Sequence, residues 1–196
     1  LAAVGSAFSL MTLMTSLLLG LCMGGGVVMS QLYGQGDREG LRRAMGNAFG
    51  GIALAALALE LAAFALLDSL LVWMRVPAEA ASDLRGYLNV VFWGIGFTFL
   101  YNFFATALRS VGNSAAALWF LLCATVINIA LDLWFVTGLD WGVEGAALAT
   151  VIAQAISAAG IALYFFLRMG DLRPGLRHLR PDGGLLRRIA VVSVLT

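Results

Sequence analysis

Five stretches of this chain, roughly 1–30, 44–74, 84–108, 115–138 and 142–167, run for about twenty residues or more with almost no charge. A helix needs about 20 apolar residues to cross the hydrocarbon of a bilayer, whereas a membrane strand needs only about 9–11. In that medium each backbone N–H and C=O has to be satisfied within the protein, so runs of this length are helices. A sixth apolar stretch begins near Leu185 and continues to Thr196. The predicted class is an all-α polytopic membrane protein with five transmembrane helices and the start of a sixth. Composition agrees, with 61% hydrophobic and 12% charged residues, against about 25% charged in soluble domains.

The first residue is Leu and both ends fall in apolar segments, so the chain is expected to be a piece of a longer protein. The N-terminal stretch is too long for a signal-peptide core and no basic segment precedes it. It reads as a transmembrane helix.

Arginine placement predicts the orientation. All 12 basic residues are Arg, and ten of them fall in alternate connections: Arg38, Arg42 and Arg43, then Arg109, then Arg168, Arg173, Arg177, Arg180, Arg187 and Arg188. The other two connections hold Arg75 and Arg85. Short loops rich in arginine stay on the cytoplasmic side, which puts 31–43, 109–114 and 168–188 in the cytoplasm and the 75–83 and 139–144 turns outside. Topology alone demands arginine there, so no nucleic-acid partner is expected. His178, in the last of these loops, has no Cys, Asp or Glu at ligand spacing and is expected to be solvated. Cys22 and Cys123 lie within spans without CxxC spacing and read as small packing residues.

Polar groups inside the spans carry the functional signal. Asp132 stands in an otherwise uncharged span, where a carboxylate costs at least about 2.5 kcal/mol and usually faces a protein interior or a water-filled path. Asn128 is one helical turn away on the same face. Counting at 1.5 Å per residue from the outer helix ends sets Thr150 level with Asp132, and Tyr87 lies near the outer start of the third span. Carboxylate, amide and hydroxyl oxygens suit a small hard cation, and a shielded carboxyl can equally hold a proton. The plainer reading is that these groups only hydrogen-bond neighbouring helices. Glu60 lies mid-span without an evident partner and receives no role. Gly24, Gly25, Gly26, Gly50, Gly51, Gly94 and Gly96 suggest close helix approach or bending, with the last two expected to interrupt the third span. No P-loop, nucleophile elbow or zinc-protease motif is present, so nothing supports an enzyme.

The stretches MSQLYGQGDREGLRRAMGNAF (29–49), LRSVGNS (108–114), INIALDLWFVTGL (127–139) and GVEGAALATVIAQ (142–154) strongly resemble multidrug and toxic compound extrusion transporters, the MATE family. The resemblance implies a twelve-helix protein of two six-helix lobes, in the inner (plasma) membrane, exporting bulky, often cationic drug-like compounds in exchange for sodium ions or protons. On that pattern this chain runs from the second helix to the start of the seventh. Residues 1–168 form the amino-terminal lobe bundle, 169–184 an inter-lobe loop and 185–196 the start of the carboxy-terminal lobe. Its partners are then the lipid bilayer, the substrates, and the first helix and second lobe of the same protein.

The resemblance also implies a cation or proton site at Asp132, Asn128 and Thr150, with sodium a candidate there. It places Tyr87 in the associated hydrogen-bond network and Asn102 on the drug cavity, and calls for no cofactor beyond the coupling ion. Two other readings stay open: a related flippase of a lipid-linked saccharide, which a deep arginine-lined cavity would favour, and a membrane module that transports nothing.

Overall fold

The computed structural model describes residues 2–73 and 78–195. Leu1, Arg75 and Thr196 lie outside them, as does Met74, the expected end of the second span. The described residues form α1 (Ala2–Gly34), α2 (Arg38–Trp73), α3 (Ala78–Ser110), α4 (Ser114–Asp132), a π-helical segment (Leu133–Gly138), α5 (Gly142–Arg168) and α6 (Gly183–Leu195). Two 3₁₀ turns, Gly170–Leu172 and Leu176–Leu179, lie between α5 and α6. Among the described residues, five helical segments are long and apolar enough to cross a membrane. The protein is an all-α, multi-pass membrane protein.

Helix α3 is the axis of the bundle, packing against α1, α2, α4 and α5. Its Leu88, Phe92, Ile95, Phe99, Phe103 and Ala107 are buried, a 3–4-residue spacing that keeps them on one face. Rings from three helices meet near its arginine-rich end, where Phe49 and Phe103 stand 5.2 Å apart and Phe104 and Phe165 5.4 Å apart. Helix α4 is the reverse case: Leu118, Trp119, Leu122 and Val126 are exposed. Apolar side chains facing outward have lipid as their solvent, which leaves close packing and polar contacts to hold helices together.

The glycines show how that close packing is reached. Gly94 and Gly96 do not interrupt α3, which runs unbroken through them. Inside a bilayer no water competes for the backbone hydrogen bonds, so Gly is tolerated mid-helix. It serves approach instead: a Cβ at Gly94 would stand 3.0 Å from Val151 Cγ2, and one at Gly24 would stand 2.6 Å from the Ser193 backbone of α6.

The arginine-rich connections meet at one end of the bundle. Gly112, with φ of 86°, turns the chain out of α3, a backbone that favours glycine. Asn113 then caps α4, accepting the Ala116 N–H at 3.3 Å and donating to the Tyr164 hydroxyl at 3.1 Å. The segment 169–182 lies across the start of α2 like a strap. Arg42 donates to the Asp171 carbonyl at 3.0 and 2.5 Å, the Asp182 N–H donates to Asn47 Oδ1 at 2.7 Å, and Asn47 Nδ2 reaches the His178 carbonyl at 3.4 Å.

His178 is not the solvated side chain that its sequence context suggests. Its Nδ1 accepts the Gly175 N–H at 2.7 Å and its Nε2–H donates to Glu39 at 3.1 Å, leaving the side chain 15% exposed. Glu39, in the first turn of α2 and 139 positions away, supplies the partner that local spacing could not reveal. Of the two free cysteines, Cys22 is buried and Cys123 is exposed.

Candidate functional site

The candidate site forms where α4, near its end, faces α5. Asn128 Nδ2 donates to Thr150 Oγ1 at 3.2 Å, and the Thr150 hydroxyl in turn donates to the Ala146 carbonyl at 3.0 Å. Asp132 is the last residue of α4, one turn beyond Asn128 on the same face. Its Oδ1 is buried and has no hydrogen-bond partner among the described residues. A buried polar atom left unsatisfied costs about 1–3 kcal/mol, more when charged, so this oxygen is a feature that calls for an explanation.

Immediately after Asp132 the helix widens into the π segment. Such turns are rare and frequently sit at functional sites. Here the segment is pinned by Phe135, which is buried with its ring 5.4 Å from Trp134 and 5.2 Å from Trp141. The Trp141 N–H closes the turn on the Phe135 carbonyl at 3.0 Å.

The π segment also corrects the expected depth. Asn128, not Asp132, is level with Thr150. Counting back from Gly138 as though the helix were α throughout overstates how far in Asp132 lies, because the i→i+5 turn holds more residues per length of axis. Asp132 therefore stands one turn nearer the arginine-poor end than the Asn128–Thr150 pair.

Tyr87 and Thr150 line a common cavity of about 220 Å³ between α1, α3 and α5. Asn102 is not part of that cavity's lining: it follows Tyr87 by 15 positions in α3, about 22 Å along the axis, and donates to the Thr98 carbonyl at 2.8 Å. The structure thus joins Asn128 to Thr150, sets Tyr87 and Thr150 on one cavity, and places Asn102 apart.

A family model described as MatE matches residues 1–134. The chain belongs to the MatE family. Among its relatives, the "Probable multidrug resistance protein YoeA" of Bacillus subtilis (strain 168) is 29% identical over 192 residues, covering 94% of this chain and 42% of the relative. A multidrug resistance MATE family transporter of the MOP superfamily, solved facing inward, superposes with a TM-score of 0.87 at 27% identity over 99% of this chain and 44% of its own. An outward-facing structure of such a transporter superposes with a TM-score of 0.90 at 26% identity, over 98% and 43%. The chain therefore spans less than half the length of the proteins it matches.

In this MatE chain the structure adds two residues to those expected at the site. Thr98 Oγ1 lies 3.0 Å from Gln154 Oε1 and 2.9 Å from the Gly94 carbonyl, and Thr98 and Gln154 line the same cavity as Tyr87 and Thr150. This pair carries polar contact from the Thr150 region toward Asn102, whose amide binds the Thr98 carbonyl. The signal was present in the spacing: Gln154 follows Thr150 by four and Thr98 precedes Asn102 by four, so each shares a helix face with a residue already singled out.

Proposed function

We propose that this MatE chain supplies one lobe of a cation-coupled exporter of bulky, often cationic compounds, with sodium ions or protons as the counter-flow. The observation that carries the reading is the buried, unsatisfied Asp132 Oδ1 beside the Asn128–Thr150 pair. Carboxylate, amide and hydroxyl oxygens are hard donors suited to a sodium ion, and a proton on the same carboxyl would equally satisfy the oxygen. The multidrug resistance and transporter names borne by its relatives support export over catalysis, and no cofactor is called for. The arginine-rich end would face the cytoplasm of a plasma membrane.

This bundle superposes almost equally on inward- and outward-facing structures, which supports a lobe that moves as a unit. Cation or proton at Asp132 would then bias the two states by its differential affinity for them. Tyr87, Thr150, Thr98 and Gln154 would form the polar wall of the associated cavity, with Asn102 further along it.

The test uses the full-length transporter in everted vesicles, following uptake of a fluorescent cationic drug under imposed sodium or proton gradients. Asp132→Asn is expected to abolish gradient-driven uptake while leaving membrane insertion and folding intact. Undiminished uptake in that variant would reject the coupling role. Loss of folding without any ion effect would return the site to a packing role, and drug-independent lipid movement would point to the flippase.

A further inference from the structure

One intramembrane carboxylate has no part in the site described. Glu60 is 22 positions into the 36-residue helix α2, far from either end, and continues the stripe of buried residues Ile52, Ala56, Ala63 and Leu67. It is half-buried, points toward α3, and takes part in no hydrogen bond or ion pair among the described residues. A Cβ built on Gly96 would stand 3.7 Å from Glu60 Oε2. Glu60, Trp93, Gly96, Phe97, Phe99 and Leu57 line an open cavity of about 380 Å³ between the two helices. Trp93 and Phe97 are exposed on its rim, and Trp93 is held edge-on to Phe64 at 5.4 Å.

We propose that this cavity is a binding site for an amphiphilic organic cation entering from the membrane. The proposal rests on the efflux reading and deepens it, adding a station for the cargo between α2 and α3. Three observations select that ligand. An acid at hydrocarbon depth is costly to keep, and among the described residues the arginine at the outer end, Arg85, is already committed to Asp68 at 2.9 Å. A bare metal ion takes six or more oxygen donors or keeps its waters, and this cavity offers one carboxylate among apolar groups. An organic cation needs neither: its charge pairs with Glu60, its apolar body fills the aromatic walls, and the Trp93 face adds a cation–π contact. Gly96 leaves the room that a side chain there would take.

The experiment uses the full-length transporter in nanodiscs with an aryl-azide derivative of tetraphenylphosphonium, mapping the labelled peptides. Native protein is expected to be labelled on the Leu57–Phe64 and Trp93–Leu100 segments. Glu60→Gln should reduce that labelling at limiting probe by at least about tenfold, the consequence of losing a close charge pair in a medium of low dielectric. Glu60→Asp should restore part of it, and tetraphenylborate, equal in shape and opposite in charge, should not compete. Labelling absent from these segments, unchanged in Glu60→Gln, or displaced by tetraphenylborate would overturn the site. Cation transport measured on the same samples separates the two readings. Intact transport without Glu60-dependent labelling removes this site alone; Glu60-dependent labelling without any gradient-driven transport removes the efflux reading alone.

Discussion

Replacing Gly46 by Ala tests whether the strap between α5 and α6 is seated on α2 as a built contact. Gly46 lies under the strap: a Cβ there would stand 2.8 Å from the His178 carbonyl carbon and 3.3 Å from the Leu179 nitrogen. Both are backbone atoms, so the strap has to lift as a body. Forcing an extra methyl into a filled contact costs about 1–3 kcal/mol. Against that, Ala is better than Gly within a helix by about 1 kcal/mol, a gain that accrues whether or not the strap is seated. A small shift of the strap relieves part of the clash while weakening the 2.7 Å Asp182–Asn47 and 3.1 Å His178–Glu39 hydrogen bonds, so the seated state loses about 1–2 kcal/mol relative to the open one, the lower part of that range. That is a factor of roughly 5–30 in the open population.

Trypsin reads this population directly at Arg177, which is followed by His178, whereas Arg173 and Arg180 precede prolines and resist the protease; cleavage of a folded segment follows its opening when reclosing is fast. Gly46→Ala in the full-length protein should accelerate cleavage after Arg177 by about 5–30-fold. Gly50, one turn further along α2 with nothing within 4 Å of a built Cβ, is the control, and Gly50→Ala should leave the rate unchanged. Equal rates in native protein and both variants would refute the seated strap.

Gly24→Ala should separate α1 from α6, since the added methyl meets the Ser193 backbone at 2.6 Å; a loss of about 1–3 kcal/mol is expected in detergent unfolding, and native stability would remove that contact from the fold. Thr98→Val keeps shape but deletes the hydroxyl facing Gln154, costing about 0.6 and at most about 1.7 kcal/mol by the scale of interhelical hydrogen bonds in membranes. A cost near zero for Thr98→Val together with a normal Gln154→Leu variant would mean that the polar link does not hold α3 to α5.

The spans were legible because the bilayer imposes a length and a polarity that no other environment does, so a run such as 44–74, whose only charged residues are Glu60 and Asp68, specifies a helix before any packing is considered. That Asn128, Asp132 and Thr150 gather in one region was legible for a related reason, because polar groups are scarce at that depth and have few other partners, but counting matched Thr150 with Asp132 where the contact is made by Asn128. The strap was not legible. Its contacts, Arg42 with Asp171, Glu39 with His178 and Asn47 with Asp182, join positions 129, 139 and 135 residues apart, and no local period encodes them. The role of Gly94 was misread for the opposite reason. Local propensity marks Gly as a helix breaker, while the α3–α5 contact it permits is a tertiary property that overrides propensity.

The π segment links these lessons to the site. Six residues of wide helix follow Asp132, so a count back from the outer end at the α-helical rise misplaces α4; in the fold Asn128 meets Thr150 and Asp132 stands a turn beyond. Had α4 continued as a regular helix, the pair facing Thr150 would follow from counting alone, and that count selects Asp132. An acid hydrogen-bonded to a threonine would be a satisfied packing contact. Displaced by one turn, its Oδ1 is buried yet unsatisfied, and the threonine is satisfied by an amide that carries no charge. On the proposed reading, the group that holds the helices together and the group that takes a cation or proton are then different residues, a division of labour that a direct Asp132–Thr150 contact would have merged into one.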